Sequence, residues 1–346
     1  MSSARPSETR NALIGTIIAT LATEGEGRLT QRRIAAASGR ALSVTGYHFA
    51  SRDAMLEAAA RDLLTGWPGP AGQPDHEDPI RRQARHELLL AATWSPAVSA
   101  ICAAEFDRIF PDPWAPHACA DLALGVDFIT LACGAGPDEI LAQLPQTDRP
   151  DAGGPGGGKS ARTRQTILDA AISLMEGGGA SAVSYRAIAD LTGAAQSAPA
   201  YHFGSIEGVL LAARQAMFHA SRQRYRNGWA DMGHVPLSPS GLADVSNAIF
   251  IREACEFARA SAAHYSVWAC ASRNASLRQD IRDSVLRMSR AWAARLEPLG
   301  RAGLRGGFDM QAHFIGALLR VLACGSRIQD VASFRSDLIS LLPDGR

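Results

Sequence analysis

Apolar residues near the start of the chain recur three and four positions apart, at Leu13, Ile14, Ile17, Ile18 and Leu21. That spacing puts them on one face of an α-helix. The same rhythm returns at Ile167, Leu168, Ala171, Ile172 and Met175. A glycine-bearing break follows each run, EGEG in the first and EGGGAS in the second. Thr30 or Ser184 then stands as N-cap of a second short helix, RRIAAAS or RAIADLT, where a hydroxyl accepts from amides that the first turn leaves unsatisfied. Gly39 or Gly193 turns the chain, and a third helix ends in Tyr-His-Phe, at 47–49 and again at 201–203. Two short helices meeting at a glycine-bearing turn form a helix-turn-helix, whose second helix fits a DNA major groove.

The parallel is an internal repeat. With an offset of 154 (Gly179 against Gly25), residues 9–59 fall on 163–213 without a gap and with 17 identities. A second landmark repeats farther on, where ADLALGVDFITLACG resembles AHFIGALLRVLACG. Matching Gly134 to Gly325 needs an offset of 191, so the second half holds 191 − 154 = 37 additional residues between the landmarks. The expected fold is all-α, two tandem units in one chain. Residues 1–60 form a first helix-turn-helix domain, 61–144 a shortened helical core, 145–161 a linker, 162–214 a second helix-turn-helix domain, and 215–346 a fuller helical core.

Between the halves, GGPGGGKS at 153–160 spells a phosphate-binding loop. Such a loop needs a buried strand to deliver it and a magnesium-holding Asp on a later strand. LPQTDRPDA upstream is no strand, and the run reads as a Gly/Pro-rich tether. The pairs Asp78-Pro79 and Ser95-Pro96 carry N-cap and first-turn signals for two helices of the first core.

Composition narrows the classes. With 346 residues, 47% of them apolar, the chain has material for about two packed domains. Net charge is +1, so any nucleic-acid surface is local. Six scattered cysteines without C-x-x-C pairing read as reduced, mostly buried thiols. No apolar leader and no long apolar run is present, from which a cytoplasmic protein without membrane contact is expected. The adjacent Asp75, His76, Glu77 and Asp78 cannot easily converge on one ion, so no metal is expected there. His264 and His313 on apolar helices read as hydrogen-bonded core histidines. No nucleophile–base constellation emerges, and neither enzyme activity nor a cofactor is expected.

Both repeats resemble the N-terminal domain of the TetR family of transcriptional repressors. The resemblance rests on LTQRRIAAASG…YHFASRDAML and VSYRAIADLTG…YHFGSIEGVL, about 50 residues of each half. It implies double-stranded operator DNA as partner. In the first repeat the implied DNA contacts are Thr30, Arg32, Arg33, Arg40, Ser43, Thr45, Tyr47, His48 and Arg52. In the second they are Ser184, Tyr185, Arg186, Gln196, Ser197, Tyr201 and His202. Arg32 and Arg186 suit bidentate reading of guanine, with a surface ion pair to a nearby acid as the other reading. The tyrosines and histidines suit phosphate contacts, which position the domain without reading sequence. The repeats depart from the family pattern at Gly46 and Ala200, where an aromatic often stands, and at Ile206, which faces Arg52 in the alignment. Weaker DNA contact by the second repeat follows. Pro199 is tolerable within the first turn of its helix.

The resemblance further implies final helices that pair into a four-helix bundle and middle helices that enclose an effector. Phe250, Phe257, Tyr265, Trp268 and Trp292 are the candidate cavity residues for a small apolar effector, within region 242–325. The reading is a repressor acting as an intramolecular pseudo-dimer, with a four-module homodimer as the other assembly. The rival is a helical ligand-sensing or partner-binding protein that has lost DNA binding in one or both modules.

Overall fold

The computed structural model describes residues 6–72, 77–112, 117–143, 158–231, 238–300 and 303–342. Among these residues every regular element is helical. The first half comprises α1 (Pro6–Glu24), α2 (Gln31–Ser38), α3 (Leu42–His48), α4 (Arg52–Leu64), α5 (Pro79–Ala91), α6 (Pro96–Ile109), α7 (Ala118–Cys133) and α8 (Pro137–Leu141). The second begins with α9 (Lys159–Gly178), α10 (Tyr185–Thr192), α11 (Ala198–Phe203) and α12 (Ile206–Asp231). It continues through α13 (Pro239–Ile251), α14 (Ala258–Ala271), α15 (Ala275–Leu296), α16 (Leu304–Ala323), α17 (Ile328–Ala332) and α18 (Phe334–Leu341).

The helices begin and end where local chemistry dictates. Leu13, Ile14, Ile17, Ile18 and Leu21 are buried on one face of α1. The Thr30 hydroxyl accepts from the Arg33 amide and the Ser184 hydroxyl from the Ala187 amide, each capping its helix. Gly39 and Gly193 close α2 and α10 in left-handed conformation, at φ 64° and 67°, which a side chain would disfavour. Asp78 caps α5 through the Ile80 amide, with Pro79 in the first turn. Ser95 marks the start of α6, but its side chain makes no cap hydrogen bond.

Two boundaries differ from the sequence expectation. Helix α9 begins at Lys159, inside the expected linker. Most of that linker, and of the GGPGGGKS run within it, lies outside the described residues, as do Asp75 and His76. Helix α12 runs unbroken through residue 214 to Asp231, because its periodicity has no cap or breaker at the end of the repeat. One helix thus serves both the second helix-turn-helix and the second core. Of the cysteines, Cys102, Cys133 and Cys324 are buried, whereas Cys119 and Cys255 are exposed.

Helices α7 and α16 cross at the centre with their backbones in contact, flanked by α15. A Cβ at Gly125 would overlap the Ala312 carbonyl, and one at Gly316 would overlap the Asp121 carbonyl. The offset of 191 carries Asp121 to Ala312 and Gly125 to Gly316, so the two close approaches exchange with each other. Beside the crossing, Asp121 and Arg320 form a fully buried bidentate pair at 2.7 and 2.8 Å.

A second pair of contacts ends on matched carbonyls. The Trp94 indole donates to the Glu176 carbonyl at the end of α9, at 3.1 Å. Arg273 donates to the Ala22 carbonyl at the end of α1, at 3.3 Å. Ala22 and Glu176 are related by the offset of 154. Each core therefore reaches the first helix of the opposite helix-turn-helix. Arg273 also pairs with buried Glu87 at 2.7 Å.

Candidate DNA interface and effector cavity

The DNA-facing candidates gather on two short helices. Tyr47 and Tyr201 are each 83% exposed, an unusual state for so large an aromatic that leaves both free to meet a partner. Each ring stands edge-on to the following histidine, His48 at 5.1 Å and His202 at 5.0 Å. Arg10 lies over Phe49 at 5.5 Å and Arg164 over Phe203 at 4.5 Å, which fastens α1 and α9 to the ends of α3 and α11. Ser43, Gln196 and Ser197 are exposed, and so are Thr30 and Ser184 beyond their capping roles. Arg40 and Tyr185 are half-buried. Arg32 is exposed at the first turn of α2. Its counterpart Arg186 lies 3.7 Å from Asp190 on the open surface of α10, a contact that contributes little. Pro199 occupies the first turn of α11, which starts at Ala198, two positions later than the α3 register.

Two expected contacts are corrected. Thr45 is fully buried, because it lies four residues before buried Phe49 and shares its inward face. It therefore cannot meet DNA. Arg52 points into the protein and pairs with buried Glu26, also donating to the Glu26 carbonyl at 3.3 Å. Burial lowers the Arg52 pKa, partly countered by Asp53. At the same places in the second half, 154 residues on, stand Ala180 and Ile206. The loss of Arg52 in the second repeat is thus the loss of an internal ion pair, not of a phosphate contact. Arg33 is also engaged, bidentate with Glu24, and that hydrogen bond raises its pKa.

The two helix-turn-helix segments touch. Their short 3-10 turns, Glu26–Arg28 and Ala180–Ala182, abut, and Arg28 on one pairs with Glu207 of α12 at 2.6 Å.

The second core holds a cavity of about 60 Å³ between α12, α13, α14, α15 and α16. Tyr265, Trp268 and Trp292 line it, joined by Tyr225, His264, Met288, Gln311 and Phe314. Phe250 does not reach it; its ring stacks on Phe334 at 3.9 Å in the core behind. Phe257 lies instead at a separate groove beside Arg224 and Glu253. The wall also extends beyond region 242–325 to Arg222 and Tyr225, which sit on the continuation of the DNA-module helix α12 where sequence pattern signals no boundary.

Two pairs of polar side chains meet within the cavity. Trp268 donates to His264 Nε2 at 3.1 Å, and the Tyr225 and Tyr265 hydroxyls meet at 3.3 Å. Burial, helped by the Arg224 charge, drives the His264 pKa down to about 3. Burial also raises both tyrosines well above their ordinary values. Arg222 brings a charged side chain to the lining. A second hollow of about 290 Å³ continues outward, sharing Arg222, Tyr225, Ser284, Met288 and Trp292 with the first. Its remaining wall includes Arg226, Arg287 and Arg295. A purely apolar site is therefore an incomplete description.

His313 departs from the hydrogen-bonded core histidine expected of it. It is fully buried, stacks on Phe334 at 5.2 Å, and neither ring nitrogen has a hydrogen-bond partner among the described residues. Burial lowers its pKa to about 4. Asp121, His313 and Asp337 bring one ligand atom each within 4.8 Å of one another. Asp121, however, already binds Arg320 through both oxygens, and that adjacent guanidinium charge opposes a cation. The cluster belongs to the bundle interior.

Among the described residues no single helix is long and apolar enough to cross a membrane. Residues 167–213 match the family model described as bacterial regulatory proteins, tetR family. No curated protein matches the chain. The matched segment contains α10, α11 and their caps, which makes the second half's helix-turn-helix one of the kind that tetR-family DNA-binding regulators carry.

Proposed function

We propose that the chain is a transcriptional repressor in which two helix-turn-helix modules and their cores form one intramolecular pseudo-dimer. It binds operator DNA through α3 and α11 and is released when a small effector enters the cavity of the second core. It is a regulator, not an enzyme. The observation that carries the reading is the α7–α16 crossing, whose two close approaches exchange under the sequence offset as a two-fold dimer interface would. Trp94 and Arg273 support it, since each ties a core to the opposite DNA module. Because the recognition segments differ (RALSVTGYHF against AAQSAPAYHF), the operator should consist of two unlike half-sites. DNA recovered by selection from a random pool tests this. Two dissimilar half-sites, bound with log affinity falling linearly in log salt, support the proposal; no enriched sequence sinks it.

A second reading has one specific observation in its favour. The second module has fewer arginines near its recognition helix, Arg186 against Arg32 and Arg40 in the first, once Arg28 and Arg33, which pair with Glu207 and Glu24, are set aside. A chain that reads DNA through its first module alone would enrich a single half-site in the same selection.

A further inference from the structure

We propose that Leu42 reads the methyl group of a thymine in the first half-site, while Gln196, at the matched place of the second repeat, reads an adenine. The inference rests on the operator-binding role proposed above. Leu42 is the first residue of α3 and is 48% exposed. A lone leucine on a surface needs no explanation, but this one is not alone. Among the described residues, Leu42, Tyr47, Leu191 and Tyr201 are four of the seven exposed large apolar side chains, and all four lie in the two helix-turn-helix segments. Within α3, Thr45 is buried, whereas Leu42, Ser43 and Tyr47 are exposed and Gly46 is half-buried. Offsets of one, four and five residues put these last four on one side of the helix. Gly46 lies one turn beyond Leu42, and a Cβ there would meet nothing within 4 Å. The leucine therefore has no side chain four residues on to cover it, and the bare backbone beside it admits a close partner.

The major groove offers one apolar group, the C5 methyl of thymine, which apolar side chains recognise by contact. A recognition helix meets base edges with its leading residues, and Leu42 leads α3. At position 42 + 154 = 196 the second repeat has Gln196, exposed in the turn that enters α11. A glutamine amide donates to adenine N7 and accepts from the N6 amino group. It makes no use of a methyl group. An A·T pair thus satisfies either residue, but through different atoms. Dependence on the thymine methyl belongs to the half-site under α3, and dependence on adenine N7 to the half-site under α11.

Binding of the full chain to the selected duplex, with deoxyuridine placed at one thymidine position at a time, tests this. Uracil keeps the pairing of thymine and lacks only its methyl. At one thymine of one half-site the replacement should weaken binding about fourfold, the effect of one buried methyl group. Leu42→Ala should abolish that difference, and Leu42→Met, which restores an apolar side chain, should keep it. In the other half-site, 7-deazaadenine, which lacks the N7 acceptor, should weaken binding about fivefold at one adenine, the effect of one hydrogen bond. Gln196→Ala should abolish this second difference and leave the uracil effect unchanged. Thymines that all tolerate uracil, or a uracil penalty that Leu42→Ala retains in full, overturn the Leu42 assignment. Adenines that all tolerate 7-deazaadenine, or a penalty that Gln196→Ala retains, overturn the Gln196 assignment. Either result leaves the repressor reading standing, because the DNA is still selected and bound. Failure to select any DNA overturns that reading and this one together.

Discussion

The two repeats share one order of helices, with different chemistry at one matched pair of sites. The first holds its 3-10 turn to the start of α4 with an ion pair, Glu26 to Arg52. The second has Ala180 and Ile206 at those places. An ion pair largely removed from water gains little over well-packed apolar side chains, since desolvation offsets most of the attraction. Either solution therefore serves, whereas half of one does not. The comparison also shows why an arginine near the recognition helix is a poor guide to DNA contact unless its partner is known. The cores differ in a second way. The first is compacted around His86, which meets Asp127 at 2.6 Å, and Phe128, stacked on Trp268. Burial opposes the Asp127 charge, yet the His86 hydrogen bond and the charges of His86 and Arg82 hold its pKa below the ordinary value. The second core, with its longer α12 and the added α13, has room for a cavity.

The comparison breaks most severely where the halves meet. Gly316→Val forces a branched side chain against the Asp121 carbonyl, and should destabilise the chain by about 4 kcal/mol or more. Urea unfolding reads the loss, and a loss under about 1 kcal/mol would mean that α7 and α16 are not in contact. Arg52→Ala should cost about 3 kcal/mol by leaving Glu26 buried and unpaired. Adding Glu26→Ala and Ile at position 52, as in the second half, should restore most of it. A double variant no more stable than Arg52→Ala would show that the matched sites are not equivalent.

Acid should weaken the second core next. His264 and His313 ordinarily titrate near 6.5 but are held to about 3 and about 4 in the fold. As pH falls through 6.5 the unfolded chain binds protons that the folded chain refuses, so stability drops from there down to about pH 4. Asp337, whose carboxyl is raised by burial, works against this by taking a proton first in the folded state. Replacing both histidines with Phe should flatten the decline in urea midpoint between about pH 7 and about pH 5. An unchanged decline would place the acid sensitivity elsewhere. The smallest effect is at the DNA face. Arg32→Ala should cost about 1–3 kcal/mol at one base pair and relax specificity there. Equal loss on selected and random DNA would show that Arg32 does not read a base.

Much of this architecture was legible in the sequence. Thr30, Ser184, Gly39, Gly193 and Asp78-Pro79 announce helix ends because capping acts within three residues, a distance that sequence displays directly. Thr45 was also legible in principle, since Phe49 one turn later fixes its face. Arg52 was not: its partner Glu26 is 26 positions upstream, and only the folded turn brings them together. Gly125 and Gly316 stand at matched places in the offset of 191, yet a glycine does not declare that another backbone lies against it. The cavity was half legible. Tyr265, Trp268 and Trp292 follow from aromatic content, whereas Tyr225 and Arg222 belong to a helix whose first half reads as part of a DNA module.

The central claim is that the two halves dimerise with each other inside one chain. Light scattering on the purified chain at micromolar concentration, alone and with the selected DNA, tests it most directly. A pseudo-dimer has the mass of a single 36.6 kDa chain, free in solution and one per DNA duplex. Twice that mass, together with protection of a perfect palindrome, would contradict it and assign pairing to separate chains.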